Sequence, residues 1–158
     1  MDQAALRAAM DLGFHTGGWC PPGRICDNGQ IPQEFNLTET KKERSEFAPD
    51  IPRSLRTESN VIDADASLIL VPEGTKSDKG TEWTIDCARK YSRPFLVIDP
   101  YRPDADQLIL NWMAKISAGI LNISGPSEKT SPGIYNSVYR LLLKVFSETG
   151  ISQFKQIR

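Results

Sequence analysis

Histidine occurs once in this chain, at His15, and cysteine only three times, at Cys20, Cys26 and Cys87. An odd number of cysteines at irregular spacing argues against a disulfide framework. A Cys3His metal site would need all four residues. The gap between Cys20 and Cys26 is longer than the roughly two to four residues usual for zinc, so no metal is expected. The apolar runs are short, and none is long enough to span a bilayer. The first residues lack a basic start followed by an apolar stretch, so no leader is expected. Lys and Arg total 19 against 20 Asp and Glu, with no dense basic run. That balance argues against binding along a nucleic-acid backbone. What remains is a cytoplasmic, soluble protein of 158 residues. This length suits one domain over 1–158 that buries its own core.

Three apolar runs carry the expected fold: Ser67-Leu68-Ile69-Leu70-Val71, Phe95-Leu96-Val97-Ile98 and Ile120-Leu121-Asn122-Ile123. They are near-continuous rather than alternating, as strands buried on both faces of a parallel sheet must be. Helical patterns of crossover length separate them, over 79–91 and 104–117. Asp104 stands at the N-cap of the second, with Gln107 at the reciprocal position. A last helix opens with Ser131 as N-cap and Pro132 at its first position, where a missing N–H costs nothing. Upstream, 2–13 reads as a helix, 14–18 as a short strand and 52–64 as another helix. Residues 20–50 are rich in Pro, Gly, Asn and charge, and read as one long irregular loop. The pattern predicts an α/β fold: a single Rossmann-like, doubly wound domain with a mainly parallel sheet.

Several short motifs in order resemble one family. They are Gly17-Gly18-Trp19-Cys20-Pro21, Gly23-Arg24, Asn36-Leu37-Thr38-Glu39-Thr40, Arg56-Thr57-Glu58 with Asn60 and Asp63, Gly80-Thr81, and the stretch 122–135. Together they are similar to the molybdenum-carrier family, over 2–145. The resemblance implies a Rossmann-like fold related to nucleotide-binding proteins and to lysine-decarboxylase-like phosphoribohydrolases. It also implies binding of molybdenum cofactor or another phosphorylated pterin or nucleotide. The chain departs from the family pattern at Pro22 and Ser127, where the family commonly carries positive charge. It also starts at the last residue of the family's first Gly-rich loop, with Met1 where the family has Val. The family's first strand is therefore expected to be missing, through an internal start. A missing central strand leaves backbone groups unpaired, at roughly 1–3 kcal/mol for each buried one. A homo-oligomer that covers the gap is therefore expected.

Open α/β sheets bind ligands at the carboxyl ends of their strands. Two loops there are built for anions. In Ser77-Asp78-Lys79-Gly80-Thr81, glycine admits a ligand to N–H groups at a helix start, Lys79 adds charge and Thr81 a hydroxyl. In Ser124-Gly125-Pro126-Ser127, Pro126 has no N–H, so Ser124, Gly125, Ser127 and Glu128 must donate. Both also read as ordinary tight turns, where glycine is simply permissive. Arg56, Asn60 and Asp63 fall on one helical stripe, able to fork onto phosphate and to read heterocycle edges, or else to face solvent. Trp19 and Arg24 flank the long loop and are candidates for the ligand site; Trp19 could stack on a flat ring beside Gly17 and Gly18, or fill the core under the loop. The resemblance adds Thr57 to these candidates.

No catalytic residue is assigned. A phosphoribohydrolase would need a carboxylate three residues after Thr81, and Thr84 stands there. The expected function is binding or carriage of a small phosphorylated ligand. The alternatives are a phosphoribohydrolase-like enzyme and an oligomeric protein with a decayed site.

Overall fold

A computed structural model of the protein describes residues 1–26, 29–75, 78–149 and 154–158. In chain order its elements are α1 (Asp2–Asp11), β1 (Trp19–Cys20), a short 3-10 turn (Pro22–Arg24), β2 (Ile25–Cys26), β3 (Gly29–Gln30) and β4 (Thr38–Glu39). There follow α2 (Ser54–Asp63), β5 (Ala66–Leu70), α3 (Lys79–Lys90), β6 (Phe95–Ile98), α4 (Ala105–Met113), β7 (Ile120–Ser124), α5 (Ile134–Thr149) and β8 (Gln156–Ile157).

The main sheet runs β6-β5-β7-β8, and every pairing in it is parallel. Every residue of β5 is buried, because β5 sits between two strands and under helices on both faces. Continuous apolar sequence is what such a position demands. In register, Leu68 lies between Leu96 and Ile123. On one face α1, α4 and α5 pack in the larger core cluster, with Ile109, Met113, Val138 and Leu142 fully buried. Ala4, Ala5, Ala8 and Ala9 are also fully buried, and their small size lets α1 pack close to the sheet and α5. On the other face α2 and α3 close over Val61, Trp83, Cys87 and Ala88. Each large side chain buried in these layers contributes about 1.5–3 kcal/mol.

The row beside β7 that the sequence left open is filled from within the chain. β8 pairs there, Ile120 with Gln156 and Leu121 with Ile157, and Arg158 continues the ladder to Leu121 and Ile123. Beyond it Thr16 bridges Ile157, flanked by hydrogen bonds from Gly17 and to His15. A second copy is therefore not needed to cover this row.

Three local expectations change. α5 begins at Ile134 rather than Pro132, because Gly133 turns at φ +86 and the Glu128 carboxylate takes the N–H groups of Gly133 and Tyr135. Asp104 precedes α4 without capping it, because its carboxylate is bound by Arg102. The expected strand over 14–18 is reduced to the Thr16 bridge, and β1 lies just after it, paired with β4.

The long loop is packed around one side chain. Arg24 is buried and donates to the carbonyls of Ile31, Pro32, Phe35 and Leu37. Farther along, Ser45 and Tyr91 both donate to the buried Glu58, which pins the loop to α2 and α3.

Candidate functional site

A cleft of about 720 Å³ opens at the carboxyl edge of the sheet. Its walls come from the first half of α1, the Gly17–Pro21 segment, the loop residues Cys26, Ile31 and Leu37, the turn into α2 with one face of that helix, the start of α3, the end of β7 with its following loop, Tyr135 of α5, and Arg158. The right-handed crossovers bring these pieces together, because each returns the chain to the same sheet edge.

Of the candidate residues, Gly17, Gly18, Trp19, Arg56, Thr57, Asn60, Lys79, Gly80, Thr81, Ser124, Gly125 and Ser127 all line this cleft. Arg24 does not, because its guanidinium is spent on the loop's own carbonyls. Asp63 does not either. Its carboxylate accepts from Trp19 Nε1 at 2.7 Å and from Arg158 at 3.0 Å, behind the wall. Ser77 lies outside the described residues.

The α2 stripe is mostly engaged with the protein itself. Arg56 pairs with Asp2 at the start of α1. Burial opposes the charge on Asp2, and Arg56 outweighs it, leaving the carboxyl below its ordinary value. Asn60 Oδ1 accepts from Trp19 N at 2.8 Å, and Nδ2 donates to Trp19 O at 3.1 Å. One donor and one acceptor position of that amide are used in this way, and they fix Trp19 on the cleft wall.

The glycines also serve close packing. A Cβ on Gly125 would lie 2.3 Å from the Leu70 carbonyl, and one on Gly17 would meet the Gln156 amide at 1.8 Å. Gly18 has φ +128 and lies against Asn60 Oδ1. Gly80 is different. Its nearest neighbour would be Asp78 Oδ1 at 3.4 Å, an ordinary contact. Asp78 caps α3, taking Thr81 N at 2.8 Å and Thr81 Oγ1 at 2.9 Å.

Five cations line the cleft, Arg53, Arg56, Lys79, Lys129 and Arg158, against three carboxylates, Asp2, Asp78 and Glu128. Leu6, Ile31 and Leu37 add an apolar wall beside Trp19. Cys20 is buried there, and burial pushes its thiol up, so it is protonated near neutral pH. Four buried side-chain polar atoms among the described residues have no partner: Arg56 Nε, Arg93 Nε, Ser124 Oγ and Arg158 Nε. Three of those four belong to cleft residues. Arg158 and Asp2 were not singled out from sequence as site residues, and Glu128 was expected only as a backbone donor. Arg158 follows a strand of only two residues, too short for any periodic signal.

The parallel sheet with helices on both faces makes this a Rossmann-like α/β domain, with a cationic cleft at the carboxyl edge. More particularly, residues 1–146 match the model of the Circularly permutated YpsA SLOG family, and the chain belongs to that family. It is also similar to a solved structure, "Putative molybdenum carrier protein" from Syntrophus aciditrophicus SB. The two are 34% identical with a TM-score of 0.79, over 92% of this chain and 87% of that one. No curated protein matches the chain. No helix among the described residues is long and apolar enough to cross a membrane. Among the same residues no group of three or more His, Cys, Asp or Glu side chains could hold a metal ion.

Proposed function

We propose that the cleft binds a small phosphorylated heterocycle, molybdenum cofactor or another phosphorylated pterin or nucleotide, and that the protein carries it in the cytoplasm. One observation supports this above the others. Arg56, Ser124 and Arg158 all line one cationic cleft, and each carries a buried polar atom without a partner. Buried polar atoms left unpaired are rare in folded proteins, and a bound oxyanion would satisfy them. Trp19, fixed at its backbone and indole N–H, offers a ring face for the heterocycle. Molybdenum cofactor fits this donor set through its phosphate and ring rather than through Cys20, whose protonated thiol is a poor metal ligand. The cofactor would supply the metal as cargo, while this chain's residues bind and orient the pterin end.

Carriage is favoured over hydrolysis by how the cleft's carboxylates are engaged. Asp2 is paired with Arg56, and Asp78 caps α3. Glu128 is held below its ordinary value by the backbone N–H groups of Tyr135 and Gly133. Thr84 donates back to the Gly80 carbonyl. A group so held is a poor proton carrier near neutral pH.

Native mass spectrometry of the protein purified from the cells that make it tests the reading. A retained phosphorylated pterin or mononucleotide is expected, with its occupancy lost in Arg158→Ala. A protein that retains nothing and binds neither ligand class on titration would overturn it. A homo-oligomer would use the N-terminal helix or an exposed strand edge such as that of β6, which no described strand covers, and light scattering reads the oligomeric state.

A further inference from the structure

A second recess of about 340 Å³ opens beside the cleft. Pro21, Cys26, Pro52 and Arg53 line both cavities, so the two adjoin along these residues. Pro22, Ile25 and Glu43 belong to the recess alone. Its chemistry differs from that of the cleft. Three prolines and Ile25 present apolar faces, and prolines carry no N–H to offer. Ile25 is 56% exposed although it sits in a strand, so its side chain is a wall without a protein partner across it. Glu43 supplies the single carboxylate, an acceptor suited to an exocyclic amine.

Arg53 stands at the junction. It has φ 59 and ψ 20, left-handed backbone in a residue that carries a side chain, just before α2. Such backbone is sparsely populated and is kept where the surrounding structure imposes it, often at ligand sites. The cleft alone is already within the ~300–1,000 Å³ range of single small-molecule sites. The recess is therefore room beyond what one phosphorylated ring needs.

We propose that cleft and recess together take a two-ring ligand, two heterocycles joined through a phosphate linker. One ring lies against Trp19, the linker passes Arg53, and the second ring packs on the proline and Ile25 wall with an amine toward Glu43. This rests on the reading of the cleft as a phosphorylated-heterocycle site.

Isothermal titration of the full chain with AMP, GMP, diadenosine diphosphate and diguanosine diphosphate tests it. The dinucleotide of the preferred base is expected to bind at least tenfold tighter than its mononucleotide. Ile25→Glu is expected to remove that advantage, with mononucleotide affinity as the internal reference and the circular dichroism spectrum as the check on folding. Equal affinity for the two, or an advantage that survives Ile25→Glu, overturns the two-ring proposal and leaves the cleft reading standing. Binding of none of the four overturns the two-ring proposal, and the cleft reading falls with it only if a phosphorylated pterin also fails to bind.

Discussion

Asn60 holds Trp19 at both of its backbone polar groups, accepting from its N–H at 2.8 Å and donating to its carbonyl at 3.1 Å. A side-chain amide here does the work of a neighbouring strand, and it does so from a helix 41 residues away. Asn60→Ala leaves both Trp19 groups unpaired in a half-buried place. A loss of about 1–3 kcal/mol in urea unfolding is expected, with Asn60→Asp intermediate because it keeps the acceptor. A loss below about 0.5 kcal/mol, the range of ordinary surface substitutions, would show that the pairing is incidental.

Arg158→Ala should weaken binding of a phosphorylated ligand by roughly tenfold to a hundredfold, the worth of one or two hydrogen bonds to a charged group. The same variant should also show a shallower dependence of affinity on salt, because one cation has left the cleft. Unchanged affinity at low salt would remove Arg158 from the site.

The two loop glycines should behave differently. Gly125→Ala places a methyl 2.3 Å from the Leu70 carbonyl and should cost about 1–3 kcal/mol in stability. Gly80→Ala meets nothing closer than 3.4 Å and lies in α3, so it should hold or raise stability by up to about 1 kcal/mol. Thermal melts of the pair decide this. Equal losses would contradict the packing described here.

Tyr91 gives a pH signature. Its hydrogen bond to Glu58 and its burial push the phenol from 10.0 up to about 12. A group with a raised folded value adds stability that is fully present below its unfolded value and lost as pH rises through the folded one. The contribution is therefore lost between about pH 10 and 12. In an ultraviolet titration Tyr91 should ionise late among the four tyrosines, with Tyr139 also raised by its hydrogen bond to Asp11, and Glu58→Gln should move Tyr91 back toward 10. A wild-type curve with all tyrosines ionising together would rule the contact out.

How far the sequence reads is clear at α2. The spacing of Arg56, Asn60 and Asp63 put them on one stripe, and two of the three do line the cleft. Their occupations were not legible, because the partners Asp2, Trp19 and Arg158 lie 54, 41 and 95 residues away. No local period carries such pairings. The strands β5, β6 and β7 were legible because burial on both faces requires continuous apolar sequence. β8 was not, since its two residues gain their strand character only from the open row beside β7. Arg24 read as a ligand residue because a basic side chain in a Gly-Pro loop has the same sequence appearance whether it meets phosphate or four carbonyls.

Asp78 and Glu128 give the cleft tethered competitors. Each carboxylate already occupies the N–H groups at the start of a helix, α3 or α5, where an arriving oxyanion would dock. A tethered anion acts at an effective concentration in the millimolar range or above, set by its short connection rather than by the cell. A bare oxyanion at lower concentration gains too little from those helix starts to displace it. On the proposed reading, a molecule that also draws on the indole face and the apolar wall outbids the chain's own side chains, so a ring-bearing phosphate is expected to bind where free inorganic phosphate does not.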